Sequence, residues 1–81
     1  MSAVTVHLFA SYAEIFGVRK LKIELAPRSS VADLIGELRR LPGSDVLPEF
    51  PRVAVNQKFV GSDQLLSSND EIALIPPVAG G

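Results

Sequence analysis

Residues 71–75, Glu-Ile-Ala-Leu-Ile, constrain the fold more than any other stretch. They form a strand-length apolar run with almost no polar alternation, and such a strand belongs in the middle of a sheet with a helix over one face. One segment supplies that helix. Ser30 reads as an N-cap with Asp33 in the first turn. Val31, Leu34, Ile35, Leu38 and Leu41 then recur at helical spacing as a single apolar stripe. A helix is expected from about Val31 to Leu41, with Arg39 and Arg40 complementing the dipole in its last turn and Pro42-Gly43 stopping it.

The other elements follow from shorter patterns. Val4, Val6 and Leu8 alternate with Thr5, His7 and Phe9, which puts the aliphatic set on one face of a first strand and Phe9 on the other. Tyr12, Ile15 and Phe16 mark a short helix from Ser11 that ends at Gly17, a residue suited to positive φ. Leu21, Ile23 and Leu25 face inward on a second strand, Lys20 to Leu25, closed off by Pro27. Three prolines and a glycine make residues 42–51 a loop. Arg52 to Asn56 and Lys58 to Val60 are strands joined by a turn at Asn56-Gln57, with further turns at residues 61–63 and 67–70. The order β, short α, β, α, β, β, β is that of an α+β domain with a mixed sheet of about five strands and one long helix packed on one face.

A chain of 81 residues closes only one core. Its formal net charge is -1 and its eight basic residues are scattered, so nothing builds a phosphate-tracking stripe and nucleic acid is not an expected partner. No apolar run approaches the roughly 20 residues that span a bilayer, so no membrane partner is expected. The start, MSAVTVHLFA, lacks the pattern of a secretory signal, which points to the cytoplasm. With no cysteine and one histidine, disulfides, thiolate nucleophiles and the usual zinc sites are removed from consideration, and no bound cofactor or metal is expected.

The sequence ends IPPVAGG. Pro76 and Pro77 lack N–H donors and fix φ, so they end sheet pairing and send the chain out stiffly. This divides the chain into a domain over residues 1–76 and a flexible tail over residues 77–81. Extended, Pro77 to Gly81 reach about 17 Å. Val78 and Ala79 are small, and Gly80 and Gly81 have no side chain, so a narrow channel could admit the backbone up to its last carbon. The reactive group delivered is the Gly81 carboxylate, a poor electrophile until an ATP-using enzyme converts it to an acyl-adenylate.

The stretches LFASYAEIFG (Leu8 to Gly17), VAVNQ (Val53 to Gln57) and NDEIALIPPVAGG (Asn69 to Gly81) carry a resemblance that covers the whole chain. The chain resembles the small subunits of molybdopterin synthase, a family of ubiquitin-like sulfur carriers with the β-grasp fold. The resemblance implies that an adenylating enzyme activates Gly81 and that sulfur transfer leaves a C-terminal thiocarboxylate. The tail Pro77, Val78, Ala79 and Gly80 then threads into the large synthase subunit. There the sulfur passes to a pterin precursor, cyclic pyranopterin monophosphate, during molybdenum cofactor biosynthesis. It further implies that Phe9, Phe59 and Ile75 contact both the activating enzyme and the large subunit. The chain has no catalytic constellation of its own, so catalysis is expected to lie with the large subunit, and an exposed apolar patch would favour self-association when the partner is absent. Many relatives carry a basic residue in the first helix where this chain has Ala13. Related carriers serve thiamin, cysteine and tRNA thiolation, and the same acyl-adenylate can join a ubiquitin-like modifier to lysines. Those alternatives stay open in the sequence.

Overall fold

The computed structural model describes residues 2–76. Five strands, β1 (Ser2–Leu8), β2 (Lys20–Leu25), β3 (Arg52–Val55), β4 (Lys58–Val60) and β5 (Glu71–Ile75), form one sheet in the order β2-β1-β5-β3-β4. β1 and β5 run parallel and the other neighbours antiparallel. The apolar run of residues 71–75 therefore sits in the centre of a mixed sheet, as its composition requires.

Alternation sorts the side chains between two faces. Val4, Val6 and Leu8 of β1, Ile72 and Leu74 of β5, and Val53 and Val55 of β3 are buried together on the inner face. Helix α2 (Val31–Leu38) adds Val31, Leu34 and Leu38 to the same cluster. Each of these side chains contributes about 1.5–3 kcal/mol by leaving water, so the inner face is the main source of stability. Thr5, His7, Ala54 and Ala73 alternate with them and fall on the outer face, opposite α2.

The first turn of α2 satisfies its backbone donors fully. The N–H groups of Val31 and Ala32 bond the carbonyls of Gln64 and Ser62, Asp33 N–H bonds Ser30 Oγ at 3.3 Å, and Leu34 N–H bonds the Ser30 carbonyl. Asp33 reciprocates by accepting from Ser30 N–H at 2.8 Å, completing a capping box. The loop over residues 61–66 is thereby fastened to the helix it precedes in space.

The helix is two turns long and ends at Leu38, three residues before the expected Leu41. Leu41 still packs against the core, but by way of tighter turns: Arg40 and Leu41 N–H bond the carbonyls of Glu37 and Leu38. Arg39 and Arg40 accordingly lie beyond the last helical turn. Arg39 Nη2 donates instead to the carbonyls of Pro48 (2.7 Å) and Glu49 (3.0 Å), pinning the following loop, and Arg40 pairs with Glu37 at 3.4 Å. That loop contains one 3-10 turn, Ser44–Val46, and lowers Leu47 into the core.

The short helix α1 (Ala10–Phe16) leaves β1 abruptly. Ala10 takes φ +49°, a left-handed conformation uncommon for alanine, which turns the chain from strand to helix within one residue. Gly17 ends the helix at φ 76°, with its N–H on the Ala13 carbonyl. Tyr12 is the buried residue of α1, and its hydroxyl has no hydrogen-bond partner among the described residues. Burial raises the Tyr12 pKa above its ordinary value, so the phenol stays neutral.

Candidate functional site: the outer face beside the chain exit

The outer face is built by register. His7 lies opposite Lys20 on β2 and Ala73 on β5; Ala73 lies opposite Ala54 on β3; and Ala54 lies opposite Phe59 on β4. Lys20, His7, Ala73, Ala54 and Phe59 thus form one row across all five strands. Ile75 and Arg52 pair in the next row toward the end of β5. Phe9 follows Leu8, whose partner is Leu74, and its backbone remains extended (φ -126°, ψ 153°). It therefore occupies the place beside Ile75, on the face opposite Leu8.

The three residues singled out in the sequence come together on this face. Phe9 is 50% exposed and Phe59 61% exposed, whereas Ile75 is half-buried between them. Phe9 and Phe59 thus leave apolar surface in water on this face of the sheet. Pro76 follows Ile75 directly, so residues 77–81 continue from the rim of this patch. Pro77, Val78, Ala79, Gly80 and Gly81 themselves lie outside the described residues.

Arg52 was not singled out by its sequence context. Its guanidinium carbon stands 4.6 Å from the centre of the Phe59 ring, a cation-π contact across the β3–β4 hairpin. The signal for it was present: the two-residue turn at Asn56-Gln57, both at positive φ, fixes Ala54 opposite Phe59 and so puts Arg52 diagonally across on the same face. Ala54 is buried even though it lies on this open face.

A second apolar feature lies on the helix side, where Val31, Ile35, Pro51 and Val60 line a groove beside Phe50, which is 82% exposed. The remaining displaced titration belongs to Asp70, at the end of β5 away from the patch. Hydrogen bonds from Ser67 N–H and Asn56 Nδ2 hold its carboxyl below the usual carboxylate range. Asn56 also accepts from Glu71 N–H, which ties the hairpin turn to the start of β5. Among the described residues no group of His, Asp and Glu side chains is arranged to hold a metal ion, and no helix is long and apolar enough to cross a membrane.

A five-stranded mixed sheet with α2 on one face, the other face open beside the chain exit, defines a ubiquitin-like β-grasp protein. Residues 6–81 match the ThiS family, and the chain belongs to it. It is similar to the molybdopterin synthase sulfur carrier subunit of Dictyostelium discoideum, with 40% identity over 78 residues and 91% of each chain covered. Among solved structures, it is similar to a putative molybdopterin converting factor, subunit 1, from Pyrococcus furiosus, at TM-score 0.81 and 28% identity, over 96% of this chain and 100% of that one. It is also similar to the small archaeal modifier protein 1 of Methanosarcina acetivorans, at TM-score 0.77 and 26% identity, over 100% and 98%.

Proposed function

We propose that this chain is the sulfur-carrying subunit of a molybdopterin synthase. The observation that carries the reading is the convergence of Phe9, Phe59 and Ile75 at the end of the central strand from which residues 77–81 continue. A docking face and a deliverable end are thereby adjacent, so one partner can grip the first and take in the second. Membership of the ThiS family and the name borne by the 40% identical relative support this assignment.

The chemistry starts at the Gly81 carboxylate. One of its oxygens attacks the α-phosphorus of ATP on an activating enzyme, pyrophosphate leaves, and the mixed anhydride makes the acyl carbon electrophilic. A sulfur nucleophile supplied by that pathway then displaces AMP and leaves the thiocarboxylate. Pro77, Val78, Ala79 and Gly80 place this group inside the large subunit, where it attacks cyclic pyranopterin monophosphate. Sulfur is held without any cysteine of this chain, which has none. Catalytic groups belong to the activating enzyme and the large subunit.

Intact mass spectrometry of the protein purified from its own host tests the reading. A fraction heavier by the difference between sulfur and oxygen is expected, and thiocarboxylated protein mixed with a molybdopterin synthase large subunit and the pterin precursor should yield product. Absence of both results would overturn it. The likeness to the archaeal modifier protein favours a second reading, attachment to lysines through the same acyl-adenylate. Lysine-linked adducts of residues ending in Gly81 would report that use.

A further inference from the structure

The outer face separates charge along the strands. In the row of Thr5, the carboxylate of Glu71 and the ammonium of Lys22 face the same way, and Glu24 lies further along β2 opposite Ala3. In the two rows nearest the chain exit the pattern changes. These hold Lys20, His7, Ala73, Ala54 and Phe59, then Phe9, Ile75 and Arg52, and no carboxylate. Glu14 on α1 flanks these rows, lining a groove together with His7, Phe9 and Lys20. In a chain with a formal charge of -1, the ammonium of Lys20 and the guanidinium of Arg52 are thus not matched by any carboxylate within these two strand rows.

Arg52 and Lys20 stand at opposite flanks of the apolar residues, and both are exposed. Among the described residues neither is ion-paired, the ion pair present being Arg40–Glu37 on another side of the molecule. Arg52 is held over Phe59, so its rotamer freedom is already reduced while the guanidinium N–H groups remain open to a carboxylate. A cation fixed in this way loses little further entropy when it pairs.

Resting on the docking reading above, we propose that the partner surface that covers this face is apolar in its centre and acidic at its rim, and that Arg52 is the cation its carboxylates engage. Phe9, Ile75 and Phe59 fill the apolar centre. Arg52 and Lys20 set orientation, because a partner rotated in the plane of the sheet would bring its carboxylates against Glu71 or Glu24 instead. Like-charge contact of that kind disfavours the wrong docking angle.

The test is calorimetric titration with the purified molybdopterin synthase large subunit of the same organism, at about 50 mM and about 300 mM NaCl, a range over which exposed charges become strongly screened. Wild-type binding should weaken as salt rises. Arg52→Gln should weaken binding about tenfold at low salt and flatten the salt dependence, whereas Arg52→Lys should keep a salt dependence close to that of wild type. Lys22→Gln, outside the two exit rows, should bind like wild type. Circular dichroism checks the fold of each variant, and the salt response of wild type stands as a test even if a variant fails to fold. Wild-type binding that is indifferent to salt, or Arg52→Gln binding as tightly as wild type, would overturn the acidic rim alone. Failure of wild type to bind the large subunit would overturn the docking reading together with this inference.

Discussion

Phe59→Ala separates a docking residue from a core residue. Phe59 keeps 61% of its surface in water. Of the roughly 200 Å² a phenylalanine can bury, about 80 Å² is therefore withdrawn on folding, worth about 2 kcal/mol at ~25 cal/mol/Å². That figure is an upper bound, because the unfolded chain already shields part of the ring and alanine retains its Cβ. Loss of the exposed cation-π contact with Arg52 adds about 0.5–1 kcal/mol. The total should stay near 2 kcal/mol, against about 3–5 kcal/mol for a fully buried phenylalanine. Binding should respond in the opposite proportion, since an aromatic anchor at an interface costs about 2 kcal/mol or more, close to a 30-fold loss of affinity. Urea unfolding and titration with the large subunit measure the two quantities on the same samples. A stability loss above about 3 kcal/mol with unchanged affinity would refute the assignment of Phe59 to an open docking face.

Three further outcomes are expected. Tyr12→Phe removes a buried hydroxyl that has no hydrogen-bond partner among the described residues and should raise stability by about 1 kcal/mol in urea unfolding. Asp70 has a folded-state pKa below its unfolded value, so the stability it contributes is present above the unfolded pKa and is lost as pH falls through the folded one. Asp70→Asn should therefore flatten the acid limb of a stability-against-pH profile while leaving its alkaline limb unchanged. One alanine added after Gly81 should abolish sulfur loading, read by intact mass, with the circular dichroism spectrum unaltered; unchanged loading would refute the threading of a side-chain-free end.

Strand patterns were legible because each depends on local alternation. Val4, Val6 and Leu8, and likewise Ile23 and Leu25, turn inward as their spacing requires, and the apolarity of Ile72 to Ile75 placed β5 in the sheet's centre. The end of α2 was not legible, because Leu41 continues the apolar stripe although the backbone has already left the helix. What stops it is non-local: Ser44 Oγ takes up the Arg39 carbonyl, and Gly43 sits at φ +88° with space for a Cβ only 3.2 Å from Ile15 Cγ2 of α1. On the outer face, the exposure of Phe9 follows from strand alternation, and Phe59 lies on the same face by register. Arg52 needed the hairpin register as well, since its significance lies in a diagonal contact between strands.

The central position of β5 also decides how the molecule bears force. β5 is paired along its length with β1 on one side, from Thr5–Glu71 to Leu8–Leu74, and with β3 on the other, from Arg52–Ile75 to Val55–Ile72. A partner pulling on the chain through Pro76, along the axis of β5, would load this strand. Both ladders then resist in shear, with their hydrogen bonds loaded together, whereas an edge strand pulled sideways would unzip one bond at a time. The strand acts as a tether bolted on two sides, and tension applied through Pro76 can be sustained without opening the core behind it.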